Sequence, residues 1–248
     1  MPVTRPHVKA ALVLVGALAL AGCSGSEAAT PPHPTWHNGE VNAVSRTTAA
    51  AGVAMTTSLR PEGTLETVAL DLATGRKLWA HPATMAGRLP GMGVPAPAIV
   101  ETGEGKAVAV AVDPTRGGRW NATLIGRDAR TGTQRWTRPL HSTFGPQRCG
   151  AFICVSEHTA LAKARIVVLD PATGRPMWKL PGIAEVEWSD ASRAVFLRLA
   201  RHPVLEAHDL RSGKLAWRLP VEQALGAGVD MSGGWSFGAT DDNLIGYV

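Results

Sequence analysis

Short runs of apolar and β-branched residues, separated by polar turns, recur along most of the chain. Four of these runs each lead into a turn rich in Asp, Thr and Gly, namely Thr67–Leu70, Ala122–Ile125, Arg165–Leu169 and Val204–Ala207. Further extended segments lie between them at 106–112, 151–156, 183–188 and 194–199. Apolar runs of this length, bounded by turn residues, are typical of β-strands. Helical periodicity is confined to an N-terminal apolar run and, as the best remaining candidate, a connector at 221–225.

Each of the four runs continues into one pattern, D-x-x-[TS]-G-x-x-x-W, without a gap. Its fixed positions are Asp71, Thr74, Gly75 and Trp79; Asp128, Thr131, Gly132 and Trp136; Asp170, Thr173, Gly174 and Trp178; and Asp209, Ser212, Gly213 and Trp217. Asp and the hydroxyl residue can cap a loop, and Gly suits the positive-φ position that ends a type I turn in a bulged hairpin. We therefore predict hairpin corners whose Trp packs one unit onto the next.

The spacing of the corners predicts a repeat architecture. Successive corner tryptophans are 57, 42 and 39 residues apart, a period near that of one propeller blade of four strands. The fold class is therefore all-β, a β-propeller of four-stranded antiparallel blades with four complete corners. Residues 235–248 open a fifth blade as strand, turn at Asp241–Asn243 and strand, and its corner is missing. The expectation is either an open arc or a smaller ring closed by pairing with residues 41–57.

The corners resemble those of the pyrroloquinoline-quinone-type (PQQ-type) repeat family of β-propellers, whose blades carry A-L-D-x-x-T-G-x-x-x-W. Residues 69–79 match this pattern nearly throughout, residues 168–174 match it closely, and the other two corners keep its fixed positions. The similarity covers residues 36–248. The resemblance implies a propeller and leaves two roles open, because the family includes quinoprotein dehydrogenases, which use PQQ with Ca²⁺, and assembly-factor lipoproteins of the BamB type.

The N-terminus has the features of a bacterial lipoprotein signal. Basic residues precede an apolar run at 10–21, which is too short for a permanent membrane span and suits a cleaved signal peptide. The residues before Cys23 resemble a lipobox, so we expect a signal peptide over 1–22, a lipidated Cys23, a flexible tether over 23–35 and a propeller over 36–248. The expected location is the outer face of the cytoplasmic membrane, or the periplasmic face of an outer membrane.

Charge and cysteine content agree with export. Loss of Arg5 and Lys9 with the signal peptide leaves 23 of the 25 basic side chains against 20 acidic ones, without a basic run, so no nucleic-acid partner is expected. Lipidation of Cys23 leaves one pair, Cys149 and Cys154. A straight strand would separate their Cα atoms by roughly 16 Å, so a disulfide requires the chain to turn near Gly150. The alternative is two small buried hydrophobic residues.

The motifs for catalysis are incomplete. The chain lacks the adjacent-cysteine pair that quinoproteins commonly have over the cofactor, and the corner aspartates recur in every unit, as turn caps would. Gly234–Gly238 matches G-x-S-x-G, but no histidine follows it, as a hydrolase would require. We assign no catalytic, cofactor or metal residue. The expected function is a lipid-anchored, non-catalytic binding or scaffold propeller with an envelope protein or polymer as partner; the alternatives are a PQQ- and Ca²⁺-binding redox protein, or a truncated propeller without independent function.

Overall fold

The structure is a computed structural model of the 248-residue chain. It describes residues 36–85, 93–115, 122–140, 145–158, 164–226, 228, 234–239 and 244–247. The expected signal peptide, Cys23 and the tether up to residue 35 lie outside the described residues, as does the expected turn at 241–243. The described residues belong to one structural unit.

The described chain forms four four-stranded sheets followed by a two-stranded one. The first sheet contains β1 (Thr48–Ala50), β2 (Val53–Leu59), β3 (Leu65–Asp71) and β4 (Lys77–Pro82). The second contains β5 (Ala98–Gly103), β6 (Lys106–Pro114), β7 (Ala122–Asp128) and β8 (Gln134–Leu140). The third contains β9 (Pro146–Cys149), β10 (Phe152–His158), β11 (Ala164–Leu169) and β12 (Pro176–Pro181). The fourth contains β13 (Ala184–Ser189), β14 (Arg193–Arg198), β15 (Val204–Asp209) and β16 (Leu215–Pro220). Helix α1 (Val221–Leu225) then leads to β17 (Ser236–Ala239) and β18 (Leu244–Tyr247).

Every sheet is an antiparallel meander in which the spatial order of the strands follows the chain. The first strands of successive sheets, β1, β5, β9, β13 and β17, lie next to one another. Four-stranded meanders that face each other around their first strands are propeller blades. The predicted all-β propeller fold is confirmed.

The core lies between blades rather than within one. Each of four buried apolar clusters joins two neighbouring sheets, as Met55 and Ile99 do for the first pair and Val110 and Ile153 for the second. The second strands are covered on both faces, so β6 contains a continuous buried run instead of alternating buried and exposed positions. A blade therefore depends on its neighbours for burial of its faces.

The described strands form an open series of blades. β17 and β18 pair with each other, and no pairing among the described residues joins either of them to the first sheet. The expectation of a smaller ring closed by residues 41–57 is therefore not supported, whereas an incomplete propeller is. No helix in the described part of the chain is long and apolar enough to span a membrane.

Candidate functional site

Each repeat corner is shaped by its aspartate. In corner 1 (Asp71–Trp79), Asp71 Oδ1 accepts hydrogen bonds from the Thr74 hydroxyl at 3.0 Å and from the backbone N–H groups of Thr74 and Ala73 at 3.1 and 3.2 Å. The Gly75 N–H donates to the Asp71 carbonyl at 2.8 Å, with a left-handed φ of 68°. The Thr74 hydroxyl, ahead of the backbone donors, holds the pKa of Asp71 below its ordinary value. The aspartate therefore acts as a turn cap.

The other three corners repeat this geometry. Corner 2 (Asp128–Trp136), corner 3 (Asp170–Trp178) and corner 4 (Asp209–Trp217) have glycines with φ of 73°, 67° and 72°. Their hydroxyl residues donate to the corner aspartate at 3.1, 2.9 and 2.6 Å. A role that recurs at one place in every blade is structural.

The corner tryptophans connect neighbouring blades. The indole Nε1 of Trp79 donates to the carbonyl of Ala129 in corner 2 at 2.8 Å, and that of Trp136 donates to Pro171 in corner 3 at 2.8 Å. Trp178 donates in the same way to Leu210 in corner 4 at 2.7 Å. In each pair the ring lies against the glycine of the receiving corner, where an added Cβ would meet the indole at 2.5 to 2.8 Å. The glycine thus has two functions, a left-handed turn and close approach of the ring.

Trp36 was not recognised in the sequence as part of this series. Its Nε1 donates to the carbonyl of Leu72 in corner 1 at 2.8 Å, and its ring lies against Gly75. Asn38 adds a hydrogen bond to the Gly75 carbonyl at 2.8 Å. The available signal was the spacing, because Trp36 precedes Trp79 by 43 residues, close to one repeat period.

Cys149 and Cys154 are joined in the structure. Their sulfur atoms are 2.05 Å apart and their Cα atoms 5.7 Å apart, on either side of a turn at Gly150 whose φ is 56°. Both side chains are buried in the core between the third and fourth blades. The bond therefore closes the first hairpin of the third blade.

Buried carboxylates in the four complete blades are paired with arginines. Arg127 donates to Asp113 at 2.5 Å in the second blade, and Arg60 pairs with Glu66 at 2.5 Å in the first. Glu157 of the third blade pairs with Arg165 of its own blade and with Arg138 of the second blade, and Glu206 of the fourth blade pairs with Arg198 and Arg218. Such pairing is the usual condition for burying a charge.

Glu206 shows the electrostatic effect of pairing. Burial raises the pKa of Glu206, but hydrogen bonds from Arg218 and His208 and the charge of Arg198 outweigh burial. The pKa of this carboxyl group therefore lies below its ordinary value. The group remains ionised within the blade.

A cleft of about 510 Å³ lies between the first strands of the third, fourth and fifth blades. We call it the inner cleft and define it by Arg46, Gln147, Ser156, Glu185, Glu187 and Trp235, which lie among its lining residues. A second cavity of about 520 Å³ continues from it past the entry to β5 and shares Arg46, Gln147 and Glu187. These side chains come from positions up to 189 residues apart in the chain.

Glu185 and Glu187 differ from the buried carboxylates of the blades. They lie on β13 on either side of Val186, where the register of the strand shifts between Val186 and Trp188, and both line the inner cleft. Neither forms an ion pair with any described residue. Burial raises the pKa of Glu185; burial also raises that of Glu187, with the neighbouring Glu185 adding to the increase and a hydrogen bond from Trp235 Nε1 at 3.4 Å opposing it. Half-buried carboxylates without a counter-ion are a common feature of binding sites.

The donor set of the cleft is small for a bound metal. The described residues contain no group of three or more His, Cys, Asp or Glu side chains that could hold a metal ion. Two carboxylates fall short of the six to eight oxygen ligands that Ca²⁺ takes. Ser236, the serine of the G-x-S-x-G match, lies on strand β17 at the cleft rather than on a strand-to-helix turn. The arrangement suits recognition of a cationic group.

Comparison with known proteins identifies the family. Residues 33–180, more than half of the chain, match the family model described as outer membrane protein assembly factor BamB. The chain belongs to the PQQ-like repeat β-propeller family. No curated protein matches this PQQ-like propeller over its sequence.

Solved structures similar to the propeller are distant in sequence. BamB from Moraxella catarrhalis is 18% identical with a TM-score of 0.49, over 81% of this chain and 53% of that one. A europium-containing methanol dehydrogenase is 15% identical with a TM-score of 0.45, over 71% of this chain and 41% of that one. Quinohemoprotein alcohol dehydrogenase from Comamonas testosteroni is 14% identical with a TM-score of 0.46, over 73% and 35%. The chain spans about half of the length of the BamB structure.

Proposed function

We propose that this protein is an exported, lipid-anchored propeller that holds a partner protein at the inner cleft and catalyses no reaction. The observation that carries the proposal is the contrast between carboxylates. Glu185 and Glu187 have no ion-pair partner among the described residues, whereas the buried glutamates within the blades have arginine partners. Membership of a family described by an outer-membrane assembly factor supports an envelope-associated scaffold role.

A basic side chain of the partner is the group that fits the cleft. An ammonium or guanidinium group between Glu185 and Glu187 would neutralise two carboxylates whose pKa burial raises. The indole of Trp235 lines the same space and offers a face for a cation–π contact. The partner class is therefore an envelope protein that inserts an Arg or Lys, and a cationic group on an envelope polymer satisfies the same chemistry.

Photo-crosslinking in cells of the source organism tests this proposal. A photo-reactive amino acid replaces Gln147, an exposed residue that lines both cavities, and in a control it replaces Arg76, an exposed residue of corner 1. We expect a discrete crosslinked protein from position 147 alone, and its loss when Glu185→Gln and Glu187→Gln are added. Identical products from both positions, or a product that is insensitive to the two substitutions, would contradict binding at the cleft.

The anchor has its own test. Cells labelled with an alkyne-bearing palmitate analogue should yield a labelled protein in the membrane fraction, and Cys23→Ala should lose both label and membrane association. A Cys23→Ala protein that remains in the membrane fraction would show that the proposed lipid is not what holds it there.

The redox alternative is tested by calorimetric titration of the purified full chain in detergent with PQQ and Ca²⁺. Saturable binding in the micromolar range would overturn the non-catalytic proposal. The possibility of a truncated product without function is tested by urea unfolding, because a chain that lacks a cooperative transition has no stable scaffold to offer.

A further inference from the structure

Five tryptophans of the described chain belong to the corner series, and Trp217 is the one whose indole does not pack on a following corner. Trp36, Trp79, Trp136 and Trp178 each donate to a carbonyl of the next corner at distances between 2.7 and 2.8 Å. Trp217 ends corner 4 in the same register, but its Nε1 forms no hydrogen bond with a described residue. The residue is 37% exposed, compared with 8% for Trp136.

An apolar groove adjoins Trp217 on the side of the fifth blade. The groove has a volume of about 380 Å³, and its apolar lining includes Leu205, Leu219, Ala224 and Phe237. Leu215, two residues before Trp217 on the outer strand β16, is 50% exposed. Among the described strands, β16 pairs with β15 alone and leaves its other edge open. Exposed apolar surface next to an open strand edge is typical of interaction sites.

We infer that this surface, formed by Trp217 and the groove, docks another protein through a glycine turn of the corner type, D-x-x-[TS]-G. The four other indoles of the series show which kind of backbone turn packs on such a ring. In each case a backbone carbonyl one residue after the corner aspartate accepts the indole N–H, and a glycine lies against the ring. An added Cβ would approach the ring to 2.3 Å at Gly75 and 2.8 Å at Gly132, so a turn with a side chain there does not fit.

A charged contact accompanies the indole contact at one junction between corners. Arg130, two residues after the aspartate of corner 2, reaches back to Asp71 of corner 1 and donates to its Oδ2 at 3.1 Å. A turn docked on Trp217 in the same geometry would place its corresponding residue beside Asp209 of corner 4. Corner 3 docks on Trp136 with Ala172 at this position, so the partner is expected to carry D-x-x-[TS]-G, and a basic residue at its third position would add an ion pair to Asp209. This inference is independent of the inner cleft, because Trp217 does not line that cavity.

The test observes the indole N–H of Trp217 by NMR in the full-length protein, labelled with ¹⁵N-tryptophan and held in detergent micelles. The probe is a synthetic peptide of residues 122–140, the β7–β8 hairpin with corner 2, closed by a terminal disulfide and verified as a hairpin by NMR. We expect a saturable downfield shift of the Trp217 N–H and slower exchange with water. The signal is assigned by its loss in Trp217→Phe, and calorimetric titration with the peptide should show that the same variant binds at least tenfold more weakly than the parent protein.

The matched control is the same peptide with Gly132→Asn, verified as a hairpin in the same way, because Asn tolerates the left-handed φ of Gly132 and adds a side chain. It should also bind at least tenfold more weakly, because the added side chain meets the ring. Absence of a saturable shift with the folded hairpin overturns the inference, and so does equal binding of the two peptides, which would indicate non-specific apolar contact. The Trp217 N–H is also followed at increasing protein concentration without peptide. If it becomes protected from exchange with water, a second copy of this chain covers it. That result overturns the inference that the occupant is another protein.

Discussion

Trp136 lies between two glycines, and a methyl group added to one of them measures how much the blade contact stabilises the fold. Gly126 is opposite Trp136 on the neighbouring strand, and Gly174 belongs to the corner that receives its indole. At Gly174 an added Cβ would lie 2.5 Å from the ring, and the backbone φ is 67°. Gly174→Ala therefore introduces both backbone strain and a steric clash.

The two effects have separate magnitudes. A non-glycine residue in the left-handed region costs about 1–2 kcal/mol, and overpacking a close-packed contact costs about 1–3 kcal/mol. We expect Gly174→Ala to lower the free energy of unfolding by about 2–5 kcal/mol, the sum of the two. Gly63→Ala is the matched control for strain, since Gly63 has φ of 82° and no atom within 4 Å of an added Cβ. It should cost about 1–2 kcal/mol.

The assay is urea unfolding followed by far-ultraviolet circular dichroism, with comparison of free energies at a constant m-value. Gly126→Ala is the matched control for the steric clash without backbone strain, because the φ of Gly126 is not positive and an added Cβ would lie 2.1 Å from Trp136. Equal losses for Gly174→Ala and Gly63→Ala would refute the reasoning, since the indole contact would then contribute nothing. In a Trp136→Leu background, the Gly174→Ala penalty should fall to that of Gly63→Ala.

Three further outcomes follow from the same geometry. Trp178→Phe removes a hydrogen bond of 2.7 Å to the fourth corner and should cost about 0.5–1.5 kcal/mol in urea unfolding, whereas Trp217→Phe, which removes no such bond, should cost less. Reduction of the Cys149–Cys154 disulfide should lower stability by about 2 kcal/mol from loop entropy, and an unchanged urea midpoint after verified thiol formation would contradict this. Burial raises the pKa of Glu185, so the folded protein keeps this proton to higher pH than the unfolded chain, and stability falls as pH rises from about 4.3 through the raised value. Glu185→Gln should therefore match the parent protein at acid pH and exceed its stability at pH 7, and equal stability at pH 7 would count against the assignment.

The inner cleft shows why a site can be absent from local sequence patterns. Glu185 and Glu187 are two residues apart on a short strand, a spacing that any half-exposed strand can have. Their distinguishing property is that neither forms an ion pair with a described residue, and this depends on which strands of other blades are adjacent. Arg46 and Trp235 reach the same cleft from opposite ends of the described chain.

The fold and the corners were determined by local chemistry. Asp71, Thr74 and Gly75 specify a turn through contacts within a few residues, and repetition at a period near 40 specifies blades that stack. The partner of each tryptophan was decided by tertiary structure alone, since the acceptor is a backbone carbonyl of the next blade and leaves no side-chain signature. The same reason separates Trp178 from Trp217: the two have the same local motif, but only the packing of blades decides that one indole is docked and the other is exposed.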